Sequence, residues 1–446
     1  MLNRRQFAGS LTALAFAGLA RQSQAAAQGT MAVAKGYGPL VRDPAGLIDL
    51  PAGFSYDILS EFGRTMSDGH RVPDNADGMG CLVRSDGRIA LIRNHELQPK
   101  HLDSGALPRG AAMPRQSFDA MGGEALPGGT THLILNPETL AVEQEFLSLI
   151  GTIRNCAGGI TPWGSWLTCE ESVDGPAQSV GREHGWVFEV PADANGLIDA
   201  VPLKAMGRFM REAAAVDPRT GIIYMTEDRA DSLFYRFLPN TAGKLADGGR
   251  LQALALIEGP QDSRNWSSAA WTVGQWHLSR WIDLDDVESP ADDLRARGAK
   301  YGGVIFARGE GVHWGVDELY FTCTSGGVAK EGQIMRYRPS PYEGQGEGRS
   351  AGGHIQLFLE STDPRQYSFG DNLTIAPNGH LIVCEDQYHD VVDNHLRGVT
   401  PAGEVYAFAR IRVQTEPAGA CFSPDGKIMF LNLYSPTKTL AIRGPF

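Results

Sequence analysis

Residues 164–171, GSWLTCEE, form a short apolar run that stops on an acid, Glu171. The ending recurs along the chain. RIALIRNHE (88–96) stops on Glu96, GIIYMTED (221–228) on Asp228 and GHLIVCED (379–386) on Asp386. KIMFLN (427–432) stops on Asn432, and ELYFTCTSGG (318–327) carries Thr322 and Thr324 in the same place. A Gly, or an Asp-Gly or Asn-Gly turn, precedes most of these runs. Short strands repeated with turn punctuation mark an all-β repeat architecture. The expectation is a β-propeller of six blades with loop insertions. A large sandwich or jelly roll is the other arrangement that fits. In a propeller the innermost strands end around one axis, so acids at equivalent strand ends converge there. Converging carboxylates hold cations, and the fold and metal readings therefore rest on the same residues.

Of the 446 residues, 54 are Gly and 26 are Pro, and 42% are hydrophobic. This suits a turn-rich β protein better than a helical one. The length admits two or three domains, but the even repetition argues for one domain over residues 28–446. Hairpin cues fall between apolar runs at 136–140, 217–221, 376–379 and 423–426. Polar, Gly-rich stretches at 64–80 and 98–131 read as loops over a site. Residues 284–297 read as a short solvated helix interrupted by Pro290.

Residues 1–27 read as a twin-arginine export signal. Arg4-Arg5 precede an aromatic residue, Phe7, then an apolar run from Ala8 to Ala20, then small residues at Ala25-Ala26-Ala27. The run is too short to span a bilayer, and no later run is long enough. The twin-arginine translocase is the expected partner during export, and the expected location is periplasmic or extracellular, without membrane attachment after cleavage. The signal holds three arginines and no acids, so its removal takes the net charge from −12 to −15. Such a protein repels nucleic acid and anionic membranes. An anionic substrate requires bound cations to overcome that field locally.

Cys169, Cys323, Cys384 and Cys421 lie in apolar runs, where Cys behaves as a small buried hydrophobe. Cys156 sits instead in a Gly-rich stretch, RNCAGGITPWG, where a metal ligand or reactive thiol fits better. Glu96, Glu171, Glu212, Glu227 and Glu385 lie far apart in sequence but in similar contexts. Burying several carboxylates together is costly unless cations neutralise them. Oxygen ligands suit Ca²⁺, Mg²⁺ and iron, and a thiolate among them favours iron. Each acid alone also fits a salt bridge or a turn cap.

The stretches DLPAGFSYDILS, MSDGHRVPDNADGMG, RNHE, NCAGGITPWGSWLTCEE, GRFMREAAAVDPRTGIIYMTED, GDNLTIAPNGHLIVCED and FSPDGKIMFLN resemble the PhoX-type alkaline phosphatase family. They run from about residue 49 to residue 433 of the chain. The resemblance implies an exported propeller phosphatase with a mixed iron and calcium cluster on its axis. It implies Cys156 as the thiolate ligand of iron and Glu171, Glu212, Glu227 and Glu385 as carboxylate ligands. Asn94, Glu96 and Asp371 would lie near the site. Arg154, Arg211 and Arg397 are the candidates for phosphate contact. Two departures stand out: the chain is shorter than well-known members, and Arg211 precedes Glu212 where His is frequent.

A cation cluster of this kind clamps phosphate oxygens and lowers the charge barrier to attack on a phosphomonoester. The nucleophile would be an oxygen bound by the metals, or a water that it activates. No strand-helix GxSxG element and no HExxH helix is present. His95, in RNHE, reads as structural. Two other functions fit the residues: a calcium-dependent propeller lactonase or esterase, and a non-catalytic propeller with structural cations.

Overall fold

The computed structural model describes residues 33–345 and 351–446. The export signal expected over residues 1–27 lies outside them. The described chain is built almost wholly of antiparallel strands in up-and-down order. Apolar runs bounded by turn residues set this pattern, and the four hairpin cues each join a first strand or an outer strand to its neighbour. For example, residues 217–221 join Arg211–Val216 to Ile223–Glu227, and 423–426 join Pro417–Phe422 to Ile428–Leu433.

Six strands stand next to one another in a closed ring: Ala76–Val83, Asn155–Ile160, Arg211–Val216, Gly309–Trp314, Gly370–Ile375 and Pro417–Phe422. Each is the inner edge of a sheet that runs outward from the axis, the propeller-like arrangement expected from the repeat. The ring closes through the sheet of Pro417–Phe422, Ile428–Leu433 and Lys438–Arg443, whose outer strand is Ser55–Glu61 from the other end of the chain. Pairing ends of the chain in one sheet leaves no gap between the first and last units.

The hydrogen bonding does not divide into six separate sheets. The strand Trp276–Asp283 pairs with Gly249–Leu256 on one side and with Ala351–Glu360 on the other, so two repeat units fuse into one nine-stranded sheet. An inserted strand here covers two outer edges that would otherwise stand unpaired. The residues expected to form a helix do so only beyond Pro290, as Leu294–Lys300. The loop reading at 64–80 ends early, since the inner strand begins at Ala76. The stretch at 98–131 holds a 3₁₀ turn at Pro99–Ser104 and a small hairpin of Ala120–Met121 with Glu124–Ala125 before the strand Gly128–Leu135 begins. No helix among the described residues is long and apolar enough to cross a membrane.

The inner strands are rich in Gly and Ala because they touch one another near the axis. A Cβ on Gly159 would lie 1.9 Å from the Ala214 carbonyl oxygen, and one on Gly158 would lie 2.0 Å from the Leu167 carbonyl oxygen. Neither obstacle is a movable side chain. Gly159→Ala is therefore expected to lower the unfolding free energy by about 2 kcal/mol. Gly196→Ala meets nothing within 4 Å and is expected to stay within about 0.5 kcal/mol of the parent in the same denaturant titration.

Candidate metal centre

The inner strands share two local distortions that decide where their side chains point. First, a residue just before the strand accepts a ladder bond from the end of the second strand. The Glu96, Glu171, Asp228, Thr324, Asp386 and Tyr434 amides donate to the carbonyls of Asn75, Arg154, Met210, Arg308, Phe369 and Glu416. Four of these acceptor residues have left-handed backbone: Asn75 (φ 53°), Arg154 (47°), Arg308 (55°) and Phe369 (47°). Such conformations cost a non-Gly residue free energy and concentrate at functional sites. Second, every inner strand slips register within its first residues, with one residue more than its partner. These are β-bulges, which re-aim side chains.

The first residue inside each slip is Asp77, Cys156, Glu212, Glu310, Asp371 and Gly419. Five of the six carry a metal-ligating group. Their atoms come together as three overlapping sets: Asp77, Glu96 and Cys156; Cys156, Glu171 and Glu212; and Glu212, Glu310 and Asp371. Within each set the ligating atoms lie within 4.8 Å of one another. The sixth position is Gly419, where a Cβ would lie 2.3 Å from the Asp77 carbonyl oxygen.

Cys156 Sγ sits 3.2 Å from Asp77 Oδ2 and 3.2 Å from Glu212 Oε1. A neutral thiol has one proton and can satisfy only one of them. Burial, then Asp77 and Glu212, push the thiol well above its ordinary range. Burial also raises Asp77, Glu171, Glu212 and Glu310 well above the usual carboxylate range, with neighbouring acids adding to it. Burial and then Asp386 push Asp371 up to about 7. Asp77 Oδ1 and Glu212 Oε2 are buried without a hydrogen-bond partner. Unpartnered carboxylate oxygens grouped with one thiol make a donor set that fits bound cations, with one soft position among hard ones.

Two arginines face this cluster from equivalent positions. Arg154 meets Glu96 Oε1 at 2.7 Å and Glu171 Oε2 at 2.6 Å. Arg308 meets both carboxylate oxygens of Asp228 at 2.7 and 2.9 Å, and Glu310 at 3.1 Å. Around the rim, Tyr434 donates to Glu96 Oε2 at 2.6 Å. Glu416 is raised by burial and by Asp386.

Of the residues expected from sequence, Cys156, Glu171, Glu212, Glu96 and Asp371 meet here. Glu227 and Glu385 do not. They lie one position earlier than Asp228 and Asp386, so strand alternation turns them into the sheets. Glu227 accepts from Tyr235 Oη at 2.7 Å. Glu385 accepts from the Ser368 and His395 amides and from Arg397 Nε at 2.7 Å. Glu170 holds the corresponding place, bound to His184 and to the amides of Ile153, Gly185 and Trp186.

Arg211 and Arg397 also turn away. Arg211 is buried on the Phe209 ring and donates to the Met206 and Gly207 carbonyls, and Arg397 is taken up by Glu385. Asn94 braces the Cys156 bulge by donating to the carbonyls of Cys156 and Ala157. His95 lies buried between the Asp74 carbonyl and Thr131 Oγ1. Asp228 and Asp386 were expected at the axis as strand-end acids, while Asp77, Glu310 and Arg308 were not anticipated. A weak signal was present at inner-strand starts, NADGMG, RNCAGG, MREAAA, RGEGVH and FGDNLT, where a ligating residue stands third.

A cavity of about 360 Å³ begins just past these residues. It occupies the other end of the axis, lined by the later residues of the inner strands, such as Gly80, Ala215, Thr374 and Phe422. It is mostly apolar and holds no acid.

A sequence model of the family described as alkaline phosphatase PhoX matches residues 35–437. No curated protein matches the sequence. Among solved structures, Pseudomonas fluorescens PhoX in complex with vanadate, a transition state analogue, is similar at a TM-score of 0.68 and 20% identity. The alignment covers 93% of this chain and 98% of that one. A gluconolactonase from Xanthomonas campestris aligns over 91% of this chain and 100% of its own at 11% identity, with a TM-score of 0.44.

Two outcomes follow from the geometry. Asp371 titrates at about 7 in the fold against 3.8 in its unshifted state. Between those values the folded chain holds a proton that the unfolded chain has released, so stability falls as pH rises across that window and levels above it. Chelated protein is expected to show that decline in its thermal midpoint, and added calcium to reverse it. Glu385→Ala is expected to cost about 3 kcal/mol, because it leaves Arg397 buried and unpaired, with cation content unchanged by elemental analysis.

Proposed function

The chain belongs to the PhoX alkaline phosphatase family, and from that premise we propose that the acid-lined end of the axis is where it hydrolyses phosphomonoesters. The enzyme is a phosphomonoesterase. The observation that carries the reading is the convergence of Cys156 with Asp77, Glu171 and Glu212, a thiol among carboxylates of which Asp77 and Glu212 each keep one oxygen without a partner.

In this reading iron and calcium are the resident cations. Cys156, with Asp77, Glu171 and Glu212, holds iron, since sulfur is the softer donor. Glu310 and Asp371, with Glu212, hold calcium through oxygen alone. When bound, the cations supply charge that clamps phosphoryl oxygens and eases attack on phosphorus. The protein does the rest by position. Arg154 and Arg308 are each fixed by two carboxylates, so their remaining N–H groups are oriented before substrate arrives. Donors set in advance toward developing charge are worth more than donors that must reorganise. The Asn94 side chain holds the Cys156 backbone, and with it the sulfur, in place.

Residues 28–446 form the mature domain in this proposal. The twin-arginine translocase exports it with its cations already bound, and the periplasm or the exterior is its place of work. Phosphoesters are its substrates.

Three measurements test this. Elemental analysis of protein exported by its own signal is expected to find iron and calcium together. Cys156→Ser is expected to lose iron while keeping calcium, and to lose release of phosphate from an aryl phosphate. Arg308→Lys keeps the charge but loses the paired hold on Asp228, and kcat/KM is expected to fall by about a hundredfold. Full turnover by protein free of metal would sink the proposal.

A further inference from the structure

The mouth of the cluster has an aromatic side. Tyr388 is 57% exposed, yet one side of it is held, with Arg308 over the ring. Arg308 donates to its hydroxyl at 3.1 Å, and the guanidinium carbon lies 5.2 Å from the ring centroid. Phe369 meets the same ring edge-to-face at 5.5 Å, and His389 lies 6.2 Å from Phe369. Phe369 is itself fixed by backbone. It is one of the left-handed residues that open an inner strand, and its carbonyl accepts the Asp386 amide.

A lone exposed aromatic ring needs no explanation. This one is placed beyond the arginine that meets Asp228 and Glu310, with its orientation set from two sides. A phosphoryl group seated on the cluster with Arg308 as donor sends its leaving group outward, past that arginine. The open surface there is the ring of Tyr388. Aromatic faces bind flat π-systems by stacking, and a ring already held in position loses little freedom on doing so.

We propose that Tyr388, backed by Phe369, is a stacking subsite for an aromatic leaving group, so that the enzyme favours aryl phosphomonoesters over alkyl ones. The inference rests on the phosphatase reading of the same site. Tyr388 touches the leaving group and takes no part in bond breaking.

The test compares kcat/KM for phenyl phosphate and for glycerol 2-phosphate in the cation-loaded enzyme and two variants. Tyr388→Phe keeps the ring and loses only the hydroxyl. Tyr388→Leu loses the ring. The aryl-to-alkyl ratio is expected to fall at least about fivefold in Tyr388→Leu and to hold within about twofold in Tyr388→Phe. An unchanged ratio in Tyr388→Leu overturns the proposal, and so does an equal loss on both esters, which would leave Tyr388 only a support for Arg308. If the parent enzyme cleaves neither ester, the phosphatase reading has failed separately. The subsite is then judged by binding of phenylphosphonate against methylphosphonate to the same three proteins. Loss of the phenyl preference in Tyr388→Leu supports it, and its survival overturns it.

Discussion

Carboxylates repel one another, and each pays a desolvation cost when taken out of water; the inner end of this fold does both at once. Asp77, Glu171, Glu212 and Glu310 are buried and raised far above their usual range by burial and by one another. A protein can hold such a group only with compensating charge. Arg154 and Arg308 supply part of it, but each is already divided between two acids. The unpartnered oxygens of Asp77 and Glu212 mark where that compensation stops. The rest of the structure is arranged around this deficit, which cations of the right hardness would remove.

A regular strand could not assemble the cluster. Alternation sends neighbouring residues to opposite faces, so a plain ladder would aim its end residues into the blades. Glu227 and Glu385 show the result, each locked to its own sheet. The bulge at each inner-strand start, with a left-handed residue before four of the six, turns one further side chain to the axis. Because the distortion repeats, Asp77, Cys156, Glu212, Glu310 and Asp371 arrive together from five different strands. Gly419 at the sixth place preserves the close approach of the last inner strand to the first.

This explains what could be read from sequence. Repetition, turn punctuation and alternation are local signals, and they carried the propeller architecture and the equivalence of Glu96, Glu171, Asp228 and Asp386. Glu227 and Glu385 were expected at the axis but turn into the sheets, because consecutive acids are alike in composition and differ only in the direction of the pleat. Glu310 and Asp77 were missed because the sequence reading followed the ends of the second strands, whereas these two stand at the bulged starts of the first strands, where only the third place of each short stretch is shared. Arg308 was hidden for the same reason, at a left-handed position that its sequence neighbours do not demand. Fusion of two units through Trp276–Asp283 lies in a connection, where repeat period gives no guidance.

The axis is also polarised from end to end, and that bears on how an anionic substrate reaches it. The far end is a channel walled by small and apolar groups, with no charge to attract a phosphoester. At the acid-lined end stand Arg154 and Arg308, the charged donors that an anionic substrate would meet. Yet the chain as a whole carries a net charge of −12, and its acids are densest at that end. Two arginines already neutralised by their own partners cannot reverse such a field. Bound cations must therefore do two things in this architecture: hold the phosphoryl group, and make its arrival favourable at all.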